Sequence, residues 1–380
     1  MVLGWVEARQ AAYDAGEPLA PTAVPIADAL GLRLAAALVA ADDLPRFDNA
    51  AMDGYAVAGP APWRVVGRTL AGQACDRGPL RGPLGASGTG EAWEVATGAP
   101  LPLGTRSVLP FEEAQRDGDV VSGTAEDGRN IRLRGEEAMP GEKLLPVGTL
   151  VTPQVVALAA AVGVTEVTAV PAPRVTALVT GDELGDGPGR VRDAIGPALP
   201  GWVAWAGGTL EAHTRVADGA EPMRAAVTAT DGDLVLVTGS SSAGPEDHLR
   251  PLLAELGATP VVDGVRCRPG SLTGMWRLTD GRLVAALPGN PFAALVAFVT
   301  VAAPALAGLR GAELPALRAV ESDLPRHRAD ARLVPVRLTH EGPVALSHDR
   351  SGMLRGVARA DALAVVPPDG GPAVLQELPR

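Results

Sequence analysis

Three loops of this chain combine polar residues with glycine, and each follows a short apolar run that is typical of a buried strand. Each of the last two loops leads into a segment with helical character. Repeated strand, loop and helix units predict a parallel sheet with helices on both faces, and ligands of such sheets bind outside the carboxyl ends of the strands. The loops, which we therefore expect to lie together, are 181–184, 239–247 and 288–291.

The loop 239–247 has the composition of an oxyanion site. Its backbone N–H groups and the three hydroxyls of serines 240–242 stand before a predicted helix, 246–256, and such groups at a helix start favour phosphate. The turn 288–291 brings a second helix start to the same edge, and Arg268 offers a fixed positive charge. At each glycine loop the alternative is a tight turn without a ligand.

Carboxylates accompany these loops. Asp182 and Glu183 end the first apolar strand, where their oxygens could hold Mg²⁺ beside a phosphate or simply cap the next segment. The same two interpretations apply to Asp193 and Asp247. The five histidines show no metal-ligand spacing and the two cysteines form no CxxC pair, so neither a zinc site nor a disulfide framework is indicated.

The rest of the chain supplies the elements that position these loops. A four-residue spacing of Ile26, Leu30, Leu34 and Leu38 predicts helices across residues 1–43. Thr152 and Pro153 predict the start of a helix within 150–162, while 60–126 and the chain after 313 consist of short β-like segments. The apolar run 291–309 holds a proline and follows a turn, which favours a buried helix over a membrane span.

Composition narrows the class of protein. The 380 residues carry a formal net charge of −11 with 47% hydrophobic residues, which predicts folded cores and neither nucleic-acid nor membrane binding. Lysine occurs once, at Lys143, so a single lysine-to-arginine difference from a relative carries little weight. The first 16 residues lack the basic region and apolar run of a signal peptide, so we expect a cytoplasmic location.

Several segments together resemble the molybdopterin molybdenumtransferase family, which comprises MoeA-type proteins and the E domain of gephyrin. The first motif is long and specific, and all of them occur in the family's order. They are PRFDNAAMDGYAV (45–57), TGAPLP (97–102), NIR (130–132) with GEE (135–137), TGDEL (180–184), LPGNP (287–291) and SG (351–352).

The resemblance implies a fold, a reaction and partners. The fold would be multidomain α/β plus β: a discontinuous helical domain (1–44 and 127–172), a β insert domain (45–126), a parallel, MogA-like α/β molybdopterin-binding domain (173–313) and a C-terminal β barrel (314–380). The reaction would insert molybdenum from molybdate into adenylylated molybdopterin and release AMP, with Mg²⁺ assisting. The protein would be a homodimer, with a MogA-type adenylyltransferase as its upstream partner.

The resemblance also implies site residues, with the α/β domain completed by the partner's Asp-Gly-Tyr segment and β insert. The catalytic residues would be Asp53, Thr97, Glu183, Asp193 and Asp247, of which Glu183, Asp193 and Asp247 would hold the metal. The cofactor-binding residues would be Gly239, Ser240, Ser242, Gly244, Arg268, Pro288, Gly289, Asn290 and Ser351.

Four departures from the family pattern lie on the predicted ligand edge of the α/β domain. The first is Ser240 in place of a glycine together with Pro245 in place of an acidic residue, and the second is Ser271 in place of a lysine. The third is Ala194 and Ile195 in place of two polar residues. The fourth is Pro197, Pro200 and Gly201 where the family has a helix, which we therefore expect to be short or broken. This clustering keeps two alternatives open: a noncatalytic molybdopterin-binding or scaffold paralogue, and an enzyme for tungsten or a variant pterin.

Overall fold

The computed structural model describes residues 2–75, 78–81, 89–239 and 248–379. The chain divides into two compact units. The α/β unit comprises residues 1–22, 31–35 and 168–380, and the β unit comprises residues 23–30 and 36–167. The four-domain division expected from the resemblance stays a prediction.

Seven α-helices lie in the described part of the chain. They are α1 (Trp5–Asp14), α2 (Pro153–Ala161), α3 (Leu199–Trp205), α4 (Ala220–Ala229), α5 (Leu249–Glu255), α6 (Pro291–Ala297) and α7 (Ala303–Leu309).

Twenty-six strands, many of them short, make up the sheets of the described residues. They are β1 (Leu3–Gly4), β2 (Thr22–Pro25), β3 (Arg33–Leu34), β4 (Leu38–Val39), β5 (Asn49–Ala50), β6 (Gly54–Ala58), β7 (Trp63–Thr69), β8 (Gly90–Val95), β9 (Ser107–Pro110), β10 (Gln115–Asp117), β11 (Val120–Ser122), β12 (Ile131–Arg132), β13 (Lys143–Leu145), β14 (Glu166–Val170), β15 (Arg174–Val179), β16 (Thr209–Arg215), β17 (Leu234–Thr238), β18 (Thr259–Asp263), β19 (Val265–Arg268), β20 (Gly274–Arg277), β21 (Leu283–Leu287), β22 (Arg318–Val320), β23 (Ala331–Thr339), β24 (Gly342–Ala345), β25 (Ala362–Val366) and β26 (Ala373–Glu377).

The central sheet of the α/β unit has the strand order β16-β15-β17-β21-β20-β18. The first four strands are mutually parallel, which confirms the predicted parallel sheet, whereas β20 pairs antiparallel with β21 and with β18. The chain passes from β15 to β16 and then returns to β17 on the other side of β15. The strand order therefore reverses beside β15, and such a reversal is where open α/β sheets bind ligands.

Helices cover both faces of this sheet because its central strands are apolar throughout. Alternate residues such as Leu234 and Leu236 pack with α1, α3, α6 and α7 in one core. Val235 and Val237 pack with α4 and α5 in the other. This alternation follows from the two-residue period of a strand.

The apolar run 291–309 forms one buried helical segment, as predicted, in which a π-helical turn (Phe298–Ala302) joins α6 to α7. It is long and apolar enough to cross a membrane, but 94% of its most apolar window is buried inside the protein, as in a core helix. Gly308 lets α1 approach closely, since a Cβ there would lie 2.4 Å from the carbonyl oxygens of Tyr13 and Gly16.

A second sheet of the α/β unit joins strands from three parts of the chain. Its order is β1-β19-β23-β25-β26-β22, with β24 paired to β23. In the described residues each end strand has a single neighbour, so the predicted C-terminal barrel is not confirmed.

The β unit contains a six-stranded sheet with the order β10-β11-β7-β8-β6-β9 and two small two-stranded sheets. Separate apolar clusters cover the two faces of the larger sheet. Helix α2 begins as predicted, because the Thr152 hydroxyl accepts the N–H of Val155 at 3.4 Å and Pro153 occupies the first turn.

The prediction of helices across residues 1–43 is wrong beyond α1. Residues 15–44, all of which the structure describes, contain no α-helix; Leu34 lies in β3 and Leu38 in β4. A four-residue spacing also fits a strand, whose side chains repeat every two residues. Pro25 and Gly31, whose φ is 82°, also disfavour a continuous α-helix through this stretch, and only a 3₁₀ turn (Ile26–Asp28) forms between them.

Candidate functional site

The register of the parallel strands brings the three predicted loops to one edge. Val179, Thr238 and Leu287 end β15, β17 and β21 and lie side by side. Just beyond them, the N–H of Thr180 donates to the Thr238 carbonyl and the N–H of Gly239 donates to the Leu287 carbonyl, both at 3.1 Å. The predicted gathering of the loops at the strand ends is thereby confirmed for their described residues.

Gly239 is required by this close approach. Its φ is 96°, in the left-handed region, and a Cβ would lie 2.6 Å from Oγ1 and 2.9 Å from the carbonyl oxygen of Thr180. The Thr180 hydroxyl is itself fixed, because it donates to the Thr238 carbonyl at 2.6 Å. Any side chain at Gly239 would therefore push the two loops apart.

A cavity of about 470 Å³ opens above these strand ends and is called here the strand-end cavity. Among the residues that line it are Glu183, Asp193, Gly239, Gly289 and Asn290. The structure thus brings together five of the predicted site residues, two of them carboxylates.

The two carboxylates differ in what holds them. Oδ1 of Asp193 accepts the N–H groups of Ile195 and Gly196 at 2.9 and 2.8 Å, so it caps the turn that precedes α3. Glu183 is exposed, and its carboxylate has no hydrogen bond to the described residues. Only Glu183 therefore offers both oxygens to a ligand.

A neighbouring cavity of about 400 Å³, called here the Arg268 cavity, also contains Asn290 in its wall. Its other walls include Arg268, Pro288 and Ser351 from the predicted set and Arg332, which sequence reasoning missed. Arg268 and Arg332 are register partners in the parallel pair β19 and β23. Two positive charges therefore stand side by side in one wall.

Carboxylates orient both arginines. Nε of Arg268 donates to Asp330 at 2.9 Å, and a terminal nitrogen of Arg332 donates to Asp349 at 2.6 Å. A guanidinium has five N–H donors, so each arginine keeps donors for a further anion. Arg350 also lines this cavity and is exposed.

The start of α6 is occupied by the chain itself. The N–H groups of Phe292 and Ala293 donate to the Ser351 carbonyl at 2.9 and 3.2 Å. The expectation that this helix start would hold an anion is therefore wrong for these two groups, and Ser351 contributes here through its backbone.

Asp53 and Thr97 form a site of their own in the β unit. The antiparallel register of β6 and β8 pairs Gly54 with Val95 and so brings together the turns at their ends. Oδ1 of Asp53 accepts the N–H of Thr97 at 2.6 Å and its hydroxyl at 2.8 Å. These bonds, the backbone one above all, hold the pKa of Asp53 below its ordinary value.

Comparison with known proteins finds matches along most of the chain. Family models match the MoeA N-terminal region (domain I and II) over residues 4–163, a probable molybdopterin binding domain over 176–308 and the MoeA C-terminal region (domain IV) over 319–374. The chain is 32% identical over 374 residues to molybdopterin molybdenumtransferase 2 of Mycobacterium tuberculosis, covering 92% of this chain and 91% of that protein. This chain belongs to the MoeA family. It is a protein of molybdenum cofactor biosynthesis.

A further relative and a solved structure are also similar to this chain over most of its length. The molybdopterin molybdenumtransferase of Staphylococcus aureus is 26% identical over 363 residues, covering 88% of this chain and 84% of that protein. A crystal structure of the MoeA protein of Pyrococcus horikoshii has a TM-score of 0.75 at 24% identity, covering 99% of this chain and 98% of that one. The latter likeness shows that the fold is shared.

Within this MoeA protein, four predicted site residues lie outside the described residues: Ser240, Ser242, Gly244 and Asp247. Their roles stay predictions. The predicted short helix after Asp193 is confirmed, since a single 3₁₀ turn (Gly196–Ala198) leads into the seven residues of α3.

The missed arginines differ in how they could have been found. Arg350 directly precedes the Ser351-Gly352 motif, so its neighbourhood was a usable signal. Arg332 had no local signal, because only the pairing of β19 with β23, some 60 residues apart in sequence, puts it beside Arg268.

Cys267 contributes no nucleophile, since burial raises the pKa of its thiol to about 12.

Proposed function

We propose that this protein is a molybdopterin molybdenumtransferase that inserts molybdenum from molybdate into adenylylated molybdopterin and releases AMP. The observation that supports it is the pair of cavities at the strand ends, which share Asn290 and combine glycine turns, arginines and an exposed carboxylate. The chain carrying them is 32% identical to a protein of that name.

The Arg268 cavity suits the anionic part of the reaction. Molybdate and the pyrophosphate of the adenylylated pterin both carry negative charge, and paired guanidinium groups bind such oxyanions with charge-assisted hydrogen bonds. The departure at Ser271 removes a family lysine, but Ser271 lines the same cavity as Arg332 and Arg350. These two arginines supply positive charge in place of that lysine.

Glu183 and Asp193 fit a magnesium site that the substrate completes. The described residues hold no group of three metal-ligating side chains, but Mg²⁺ is commonly bound by one or two carboxylates together with substrate phosphates. Glu183 would supply its uncommitted carboxylate, and Asp193 its second oxygen. The bound metal would neutralise charge on the pyrophosphate as it is hydrolysed.

Asp53 and Thr97 also belong to the proposed catalytic set, on the strength of the resemblance. Because the pKa of Asp53 is lowered, its carboxylate is ionised throughout the neutral range. The homodimer, the MogA-type adenylyltransferase partner and the cytoplasmic location stay part of the same proposal.

The experiment that tests the function is AMP release from adenylylated molybdopterin by the purified protein. We expect release that requires molybdate. Tight retention of the adenylylated pterin without AMP release would identify a noncatalytic binding protein or scaffold. Release that responds to tungstate in preference to molybdate would identify a tungsten enzyme.

A further inference from the structure

A third cavity of the α/β unit, of about 210 Å³, contains three arginines and is called here the Arg310 cavity. Arg9 comes from α1, Arg33 from β3 and Arg310 from the end of α7. Trp205, Val299 and Pro304 supply part of the apolar wall. The cavity shares none of its lining residues with the strand-end cavity or the Arg268 cavity.

Arg9 is buried without an anionic partner. The residue is 6% exposed, its Nε has no hydrogen-bond partner, and a terminal nitrogen donates to the Pro315 carbonyl at 2.6 Å. In the part of the chain that the structure describes, no carboxylate forms an ion pair with it. A buried charge is normally paired, and Arg9 lines the cavity, so an anion bound there would supply the missing opposite charge.

Arg310 has the same kind of environment. Its terminal nitrogens donate to the neutral carbonyls of Ala206 at 2.9 Å and Gly31 at 3.4 Å. Burial, and next the positive charge of Arg33, lower the pKa of Arg310. The two positive charges therefore repel one another inside the protein, and a bound anion would remove that repulsion.

The two glutamates that line the cavity do not neutralise the positive charge of Arg9 and Arg310. Glu313 and Glu377 line the cavity, but both are exposed, and among the described residues neither forms an ion pair with Arg9 or Arg310. The cavity thus concentrates positive charge in a protein whose net charge is −11. Its volume is also below the roughly 300–1,000 Å³ of cavities for larger organic ligands, so a pterin or nucleotide does not fit.

We propose that the Arg310 cavity is a binding site for a small tetrahedral oxyanion, of the class of phosphate, sulfate and molybdate, distinct from the reaction site. Guanidinium donors on Arg9 and Arg310 would bind its oxygens, as in other arginine sites for oxyanions. The ion would tie α1 to the end of α7. This inference goes beyond the proposed function and does not depend on it.

The test is equilibrium dialysis of the full chain with radioactive inorganic phosphate, followed by displacement. We expect sulfate and molybdate to displace phosphate from this site, because all three are tetrahedral dianions, and AMP to leave it bound. Displacement of all bound phosphate by AMP would place the ion in the reaction site and overturn the proposal.

Ala303→Glu is the decisive variant. Ala303 lines the cavity and is partly exposed, so the new carboxylate would take the place of the anion. We expect it to lose one bound phosphate per chain and to melt at a higher temperature than the wild type in phosphate-free buffer. Ala225→Glu, on the exposed face of α4, adds the same charge elsewhere and should behave as the wild type.

The variant Arg310→Met tests phosphate binding in the Arg310 cavity independently of Ala303→Glu. If the variant folds, as shown by its circular dichroism, we expect phosphate affinity to fall about tenfold or more, the size of one lost charge-assisted hydrogen bond. Unchanged phosphate binding in Ala303→Glu, together with an unchanged or lower melting temperature, would show that the arginines serve only as donors to carbonyl groups.

Discussion

Asp53, in the Asp53–Thr97 turn of the β unit, and Glu183, at the strand ends of the α/β unit, are carboxylates in opposite environments. Asp53 accepts two hydrogen bonds from a single residue, and they lower its pKa. Glu183 is exposed and accepts none from the described residues. The turn holds a preformed, ionised acceptor, whereas the carboxylate of Glu183 at the strand ends keeps its oxygens available to a ligand.

This difference indicates which region responds to substrate. Preorganised groups cost no reordering when a ligand binds, so substitutions in the turn should alter electrostatics with little effect on geometry. At the strand ends, Gly239 and Thr180 hold the backbone, while the carboxylate and arginines supply the chemistry. Different substitutions there should therefore affect different properties: one mainly the turnover, another the stability of the fold and a third the affinity for substrate.

Glu183→Gln should have the largest effect. Removing the uncommitted charge should lower the rate of AMP release about 100-fold or more, the usual scale for a lost electrostatic group in an active site. The melting temperature should stay unchanged, because the carboxylate makes no hydrogen bond that the fold needs. Glu321→Gln, an exposed glutamate elsewhere, is the control, and equal rates in both variants would contradict the assignment.

Arg332→Met should weaken affinity more than turnover. Loss of a charge-assisted hydrogen bond, worth about 1.5–3 kcal/mol, should raise the Kd for adenylylated molybdopterin roughly 10- to 100-fold. Arg337→Met lies on the same strand with an exposed side chain and should bind normally in the same fluorescence titration. If both variants bind alike, Arg332 does not contact the substrate.

Gly239→Ala should destabilise the α/β unit by about 1–3 kcal/mol, because it combines a left-handed φ with a backbone clash. Gly281→Ala is the matched control, since its φ is 93° but a Cβ there would meet nothing within 4 Å. Calorimetry should give a larger fall in melting temperature for Gly239→Ala. Equal falls would mean that the contact with Thr180 does not matter.

Thr97→Val should have the smallest effect on the stability of the fold, because it removes a single exposed hydrogen bond of the β unit. It removes the side-chain donor to Asp53 and leaves the backbone one, so the pKa of Asp53 should rise yet stay below its ordinary value. Since that pKa is lowered in the folded protein, the interaction stabilises the fold above the ordinary pKa and is lost as the pH falls through the folded value. Carbon-13 NMR titration measures this, and Thr97→Ser should restore the wild-type value.

The sequence was enough to predict the edge where the loops meet, but not the contacts between residues that are distant in sequence. Val179, Thr238 and Leu287 end apolar runs before glycine turns, so local signals located the edge where the loops meet. The side-by-side pair of Arg268 and Arg332 depends on tertiary strand pairing, which no local pattern reports.

The same limit explains why the helices predicted between residues 15 and 43 are wrong. The spacing of Leu34 and Leu38 is compatible with both periods, and only pairing with strands later in the chain, as in β3 with β14 and β4 with β13, decides for strands. The occupation of the α6 start by the Ser351 carbonyl is likewise a contact between distant segments.

The most direct test of the proposed reaction is the molybdenum content of the pterin product. Purified protein is given adenylylated molybdopterin and molybdate, and the pterin-bound molybdenum and the free AMP are measured in the same sample. The account predicts one molybdenum in pterin for each AMP released. AMP without pterin-bound molybdenum would identify a hydrolase and contradict the proposed molybdenum transfer.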